Sequence, residues 1–283
     1  MANIFSISEA DDPRIAAFHK IRERDLTGRD GRFIAEGTVV LRMLLAAHRA
    51  GRGIEAEALL VLENRLAGLA PLLKDWPQDK PVYVANGATI DAIAGFHLHR
   101  GVLALGNRLT APDFSALVAS LPAQSLVLVG CGISNHDNIG AMFRNAAGFS
   151  ADAVFLDETS CDPLYRKALR VSVGSVLTTP YSRQGQAVSL LSALDVAGFL
   201  IAALSPSGKL EIGDIGSALS GRARLALVVG TEGEGLPAEV LERFLTMRIA
   251  QSPGLDSLNL GTASGIALHC AARALGRLDF SAN

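Results

Sequence analysis

Three loops of this sequence place polar side chains at helix starts, each directly after a short apolar strand. The first contains Asn135-His-Asp-Asn138-Ile-Gly140-Ala-Met-Phe-Arg144. The second is Gly230-Thr-Glu232-Gly233-Glu234-Gly235-Leu236-Pro237, and the third runs from Gln251 through Asp256-Ser257-Leu258-Asn259. A helix start exposes free N–H groups, which a Ser or Asn side chain can cap or a ligand can occupy. For one Ser or Asn alone, capping is the ordinary account, and three such loops together shift the balance toward a binding site. Arg144 stands on an otherwise apolar helix, where its guanidinium could snorkel to solvent, pair with an acid, or grip a phosphate through its planar fork. The glycines of the second loop let the backbone turn sharply and approach a ligand closely. Their spacing, Gly-x-x-Gly-x-Gly, is neither the dinucleotide fingerprint nor a Walker loop. Glu232 and Glu234 within it would repel a pyrophosphate, so the loop suits a neutral or cationic ligand.

The surrounding elements are strands and helices in alternation. Leu126–Gly130, Ala153–Leu156, Phe199–Ala203, Leu225–Gly230 and Leu245–Ala250 read as buried strands, with a short one near Leu177. Helices are expected over 139–147, Pro163–Val173, Gln186–Leu194 and Pro237–Phe244, with another starting near Asn259. Strands without period-2 alternation, separated by helices, predict a parallel sheet covered on both faces. Ligands of such sheets collect at the carboxyl ends of the strands, where all three loops fall. Upstream, Phe33–Ala35, Ala58–Leu62, Pro81–Val84 and Gly101–Leu105 read as strands of a smaller α/β module, preceded by an amphipathic helix carrying Ile15, Phe18, Ile21 and Leu26. The expected division is a domain over 1–107, a linker over 108–123 around Pro112 and Pro122, and a second domain over 124–283.

Composition narrows the function classes. The 283 residues are 49% hydrophobic and 19% charged, enough apolar material for packed cores. The net charge of -2 excludes a general polycation, so nucleic-acid binding requires a local patch. Lys20, Arg22, Arg24, Arg29 and Arg32 form one candidate, and a solvated helix face accounts for the same charges equally well. Cys131, Cys161 and Cys270 show no metal-ligand spacing and read as free thiols, so no metal is expected. The N-terminus lacks signal-peptide character, and no apolar run is long enough to span a bilayer. A soluble cytoplasmic protein is the expectation.

Taken in order, Asn138-x-Gly140-x-x-x-Arg144, Gly230-x-Glu232-Gly233-x-Gly235-Leu236 and Ser257-Leu258-Asn259 resemble the three motifs of the SpoU (TrmH-like) RNA methyltransferases of the SPOUT superfamily. Asp162-Pro163, Arg170, Ser172 and Gly174 match the segment between the first two motifs. Phe33-Ile-Ala-Glu36-Gly37 and His99-Arg100-Gly101-Val102 resemble the family's ribosomal-protein-like substrate-binding domain, so the resemblance covers most of the chain. It implies a parallel α/β sheet whose C-terminal segment forms a trefoil knot, with S-adenosyl-L-methionine held at Gly230, Gly235, Ile249 and Leu258. It also implies a homodimer that methylates a ribose 2′-OH of rRNA or tRNA. Arg144 matches the catalytic arginine, acting as base or as phosphate binder, and Asn138, Glu232, Ser257 and Asn259 match positions that shape the site. Departures fall in the third motif, where Ala250, Gln251 and Pro253 replace the usual residues and Gly261 stands where a small hydroxyl residue is common.

Three alternatives follow from the same residues. A non-catalytic RNA-binding SPOUT protein would keep the knot without turnover. A nucleotide-binding α/β enzyme would use the glycine loop for phosphate, against the charge of Glu232 and Glu234. A SPOUT enzyme methylating a base nitrogen fits the Arg144 motif less well.

Overall fold

The computed structural model describes residues 3–19, 31–95, 98, 100–110, 113–254 and 256–278. They form two compact units. One comprises Met1–Ala111 with Leu164–Thr178, and the other Pro112–Pro163 with Thr179–Asn283.

The first unit contains strands β1 (Asn3–Ile7), β2 (Arg32–Glu36), β3 (Ile54–Leu62), β4 (Pro81–Ala85) and β5 (Val102–Arg108). Its helices are α1 (Thr38–Arg49), a single turn α2 (Ala70–Leu73) and α3 (Gly87–Ala94). The sheet order is β1-β4-β3-β5-β2, with β5 antiparallel to both its neighbours and the other pairs parallel. Ile7, Ile34, Leu60, Ile90, Ile93 and Leu103 join one buried cluster. The four strands expected upstream are present. β1 adds a fifth that lacks a sequence signal because it lies at an edge with only Ile7 buried. Of the amphipathic helix expected first, the described part is a 3-10 turn over Pro13–Phe18 that buries Ile15 and Phe18; the remainder lies outside the described residues.

The second unit carries α4 (Phe114–Ser120), β6 (Ser125–Gly130), α5 (His136–Gly148) and β7 (Ala153–Leu156). Between β7 and the next strand, the chain contributes α6 (Arg166–Val171) to the first unit. The second unit then resumes with β8 (Tyr181–Arg183), α7 (Ala187–Val196), β9 (Leu200–Leu204), β10 (Leu210–Glu211) and α8 (Ile215–Leu219). It ends with β11 (Arg224–Val229), α9 (Ala238–Arg243), β12 (Leu245–Arg248) and α10 (Leu260–Ala274). The seven strands are ordered β10-β12-β9-β11-β6-β7-β8 and every pair is parallel. All six residues of β6 are buried, as a central strand covered on both faces requires. Val127, Phe155, Leu191, Phe199, Ile201 and Val228 meet in one of its cores, each side chain worth about 1.5–3 kcal/mol of transfer free energy.

Two expectations are corrected. The segment near Leu177 is a 3-10 turn over Ser175–Leu177, and the strand comes later at Tyr181. The second domain is also discontinuous, because Leu164–Thr178 packs in the first unit rather than within 124–283. There Arg166 donates to the buried Glu36 carboxylate at 3.0 Å, and Gly174 sits so close to Met43 that a Cβ would lie 2.8 Å from its side chain. Gly174 has φ +84°, a region that favours glycine.

Candidate active site

Because the sheet of the second unit is wholly parallel, the carboxyl ends of β6, β11 and β12 lie along one edge. The loop after β6 is fixed by a buried carboxylate. Both Asp157 oxygens accept from the Gly132 N–H at 3.0 Å, and the Ser160 hydroxyl accepts from the Ile133 N–H at 3.0 Å. Asn135 then caps α5, its side chain accepting from the Asp137 N–H. The helix thus starts earlier than the sequence suggested, and Asn138 lies in its first turn rather than at its cap. That frees the Asn138 amide for another partner. Its Nδ2 donates to Glu232 Oε1 at 2.7 Å from a side chain that is almost fully buried.

Asn259 completes this group. Its Oδ1 accepts from the Gly261 and Thr262 N–H groups, capping α10. Its Nδ2 donates to Glu232 Oε1 at 3.2 Å and to Asn138 Oδ1 at 3.3 Å. Capping and site-building are therefore done by one residue, the oxygen serving the helix and the nitrogen serving the site. Glu232 takes two amide donors on one oxygen, which leaves Oε2 for another partner.

Glu232 also lines a cavity of about 470 Å³. Gly230, Gly235, Ile249 and Leu258, the positions expected to hold the cofactor, all line the same cavity, and Ser257, expected to shape the site, lines it too. Val229, Leu236, Met247 and Leu260 give it apolar walls. At Gly230 a Cβ would meet the Gly235 carbonyl group and the Leu236 nitrogen, so no larger residue fits the turn. Glu232, Glu234 and Asp256 line the cavity, while no Lys, Arg or His does among the described residues. This charge balance suits a cationic ligand and disfavours a phosphate. The departures at Gln251 and Gly261 are accommodated: Gln251 lines the cavity, and Gly261 lets α10 approach α5, where a Cβ would lie 2.8 Å from that of Ala141.

Arg144 is not gathered into this group. It is exposed on α5, does not line the cavity, and forms no ion pair among the described residues. Of the candidate RNA-contacting cations, Lys20, Arg22, Arg24 and Arg29 lie outside the described residues. Arg32 donates to the Glu57 carboxylate at 2.8 Å, which offsets its charge. The three cysteines are free, and burial pushes the Cys131 thiol up to about 12 and the Cys161 thiol to about 11. Among the described residues no group of His, Cys, Asp and Glu side chains could hold a metal ion, and no helix is long and apolar enough to cross a membrane.

Residues 125–269, the stretch that builds this cavity, match the model of the SpoU rRNA Methylase family. The chain belongs to that family. It is 36% identical to an uncharacterized tRNA/rRNA methyltransferase of Mycobacterium tuberculosis over 94% of this chain and 91% of that one. It is 28% identical to the 23S rRNA (guanosine-2′-O-)-methyltransferase RlmB of Escherichia coli, over 75% of this chain and 86% of RlmB. The fold is similar to that of an AdoMet-bound rRNA methyltransferase from Sinorhizobium meliloti, with a TM-score of 0.76 at 23% identity over 96% of this chain and 98% of that one. An RNA 2′-O ribose methyltransferase aligns with a TM-score of 0.76 at 24% identity, over 95% of this chain and 99% of that one. SpoU membership displaces the phosphate-binding reading of the glycine loop, in agreement with the acidic lining of the cavity.

Asn145 carries no sequence signal that marked it as part of the site. Its Nδ2 donates to the Gly261 carbonyl at 2.7 Å and to Ser264 Oγ at 3.1 Å. A bond to a backbone carbonyl leaves no motif, because any residue can supply the acceptor.

Proposed function

We propose that this SpoU protein is an S-adenosyl-L-methionine-dependent RNA methyltransferase that methylates a ribose 2′-OH of rRNA or tRNA. The observation that carries the proposal is Glu232, which lines the cavity and at the same time gathers Asn138 and Asn259. The residues fit the cofactor: the Gly230 turn admits close approach of a ligand, the walls are apolar, and the three carboxylates suit a sulfonium cation. Bound there, S-adenosyl-L-methionine supplies a methyl group already activated by its positive sulfur.

The protein then has to orient the acceptor hydroxyl and help remove its proton. Asn138 and Asn259 hold the Glu232 carboxylate in one orientation at the cavity, and Ser257 adds a hydroxyl to the same lining. Arg144, being permanently protonated under ordinary conditions, is suited to hold an RNA phosphate and orient the ribose rather than to accept a proton. Its outward position on α5 favours a homodimer, in which a second copy would complete the site. The relatedness to RlmB, named for ribose methylation of 23S rRNA, favours the 2′-OH over a base nitrogen.

A trefoil knot belongs to the same reading. β12 lies between β10 and β9 in the sheet, and the chain after it returns as α10 against α5. The first unit is assigned to RNA binding as a ribosomal-protein-like domain, and the three free thiols agree with a reducing cytoplasm.

The test is methyl transfer from labelled S-adenosyl-L-methionine to total rRNA and tRNA from a strain lacking this gene, followed by nucleoside analysis. A new 2′-O-methyl nucleoside that is absent with Arg144→Ala supports the proposal. Cofactor binding without transfer to either pool would favour the non-catalytic RNA-binding reading. Sedimentation at micromolar concentration tests the dimer.

A further inference from the structure

Asn145 stands outside the three motif positions described above and outside the cavity, yet both hydrogens of its amide are committed to α10. Nδ2 donates to the Gly261 carbonyl and to Ser264 Oγ, and the Ser264 hydroxyl in turn donates to the same carbonyl at 3.0 Å. The contact occurs where the two helices come closest. Ala141 fills the space beside Gly261, and the space beside Gly265 is filled by Asn145 itself, whose Nδ2 would lie 3.2 Å from a Cβ there.

Seven residues separate Asn138 from Asn145, about two helical turns, so they share a face of α5. That face therefore grips the first turns of α10 twice. Asn138 grips the Asn259 side chain, and Asn145 grips the Gly261 carbonyl two residues further on. The Asn259 oxygen is bonded to the Gly261 N–H at 2.9 Å, so both grips meet on one helical turn. Buried Ile139, Met142, Phe143 and Ala146 already fix α5 against the core, and the second grip narrows the small rotation about its axis that such packing tolerates. At the roughly 5–6 Å that side chains reach from a helix axis, a rotation of about 20° displaces the tip by roughly 2 Å. Arg144 is adjacent to Asn145 and has no partner of its own among the described residues.

We infer that Asn145 is a positioning residue that registers α5 on α10, so that Asn138, Glu232 and Asn259 meet and Arg144 keeps its direction. The inference rests on the methyltransferase reading for its kinetic consequence and on geometry alone for its structural one. An amide is needed at this position because a carboxylate would turn an acceptor toward the Gly261 carbonyl.

The experiment measures kcat, the KM for RNA, and native-state amide exchange at Gly261 and Thr262 in Asn145→Ala, Asn145→Asp and Asn145→Ser. Ser264→Ala serves as the milder variant should Asn145→Ala fold poorly. In folded protein we expect Asn145→Ala to lower kcat at least tenfold with KM changed less than threefold. Asn145→Asp should fall further, and Asn145→Ser, which keeps a donor, should recover part of the loss. Exchange at Gly261 and Thr262 should quicken in step. A folded Asn145→Ala enzyme with kcat within twofold of wild type overturns the inference, as does a loss that merely follows the unfolded fraction in a melting curve. If the wild-type protein transfers no methyl group, the methyltransferase reading fails separately. The exchange data then decide: unchanged protection in Asn145→Ala overturns the inference, and faster exchange supports it.

Discussion

The two sheets of this protein alternate strands with helices, and in the second the loops at one edge meet at a common cavity. In the first sheet β5 runs antiparallel to β3 and β2, so the carboxyl ends of its strands are divided between two edges. In the second, all seven strands run the same way and the loops after β11 and β12 line one space, with the helix after β6 bonded to it through Asn138. Strand direction, more than composition, decides whether the loops after the strands fall at one edge. The comparison makes a division of labour testable: changes in the second unit should alter cofactor binding or turnover, and changes in the first should alter stability or RNA affinity while leaving cofactor affinity intact.

The largest effect is expected from Gly230→Ala, whose methyl group would collide with the Gly235 carbonyl and the Leu236 nitrogen. Calorimetry should show cofactor affinity reduced at least a hundredfold with the circular dichroism spectrum unchanged. Retained affinity would mean that the turn relaxes and that the close approach is incidental. Glu232→Gln comes next. It keeps an oxygen for the Asn138 and Asn259 donors while losing the negative charge, so kcat should fall about tenfold with the two amides still in place. In the first unit, Arg166→Ala strips the partner from buried Glu36 and should cost about 1–3 kcal/mol, read as a lower Tm. Cofactor affinity should not change; if it does, the division of labour fails. The smallest effect concerns Cys131, whose thiol is pushed up to about 12 by burial. The folded form resists ionisation that the unfolded chain undergoes near 9, so this contribution to stability is intact below about pH 9 and lost as pH rises from there toward 12. In native protein at pH 8, a thiol reagent should leave Cys131 unmodified while Cys270, less buried, reacts first.

Legibility in the sequence follows burial. Strands such as Ser125–Gly130 and Arg224–Val229 are buried on both faces, so they appear as continuous apolar runs. β1 was illegible because four of its five residues face solvent, and β10 because it is two residues long. The residues expected to hold a cofactor were suggested by likeness to a known family, and Gly230, Gly235, Ile249 and Leu258 do share a cavity. What the motifs could not convey was the wiring: that Asn138 serves Glu232 instead of capping its helix, that Asn145 binds a backbone carbonyl, and that Arg144 does not line the cavity. Hydrogen bonds between segments more than ninety residues apart have no local pattern to betray them.

The return of Leu164–Thr178 to the first unit has a consequence for how this molecule can be divided. The chain passes between the units at three places, near residues 111, 163 and 178, so neither unit is a continuous stretch of polypeptide. A fragment starting at residue 124 would carry α6 without the strand it packs on, exposing Leu164, Ala168, Leu169 and Val176, all buried in the intact protein. Gene truncation or limited proteolysis should therefore give sticky, poorly soluble pieces, and exchange of the first unit between relatives would have to transplant two separate segments together.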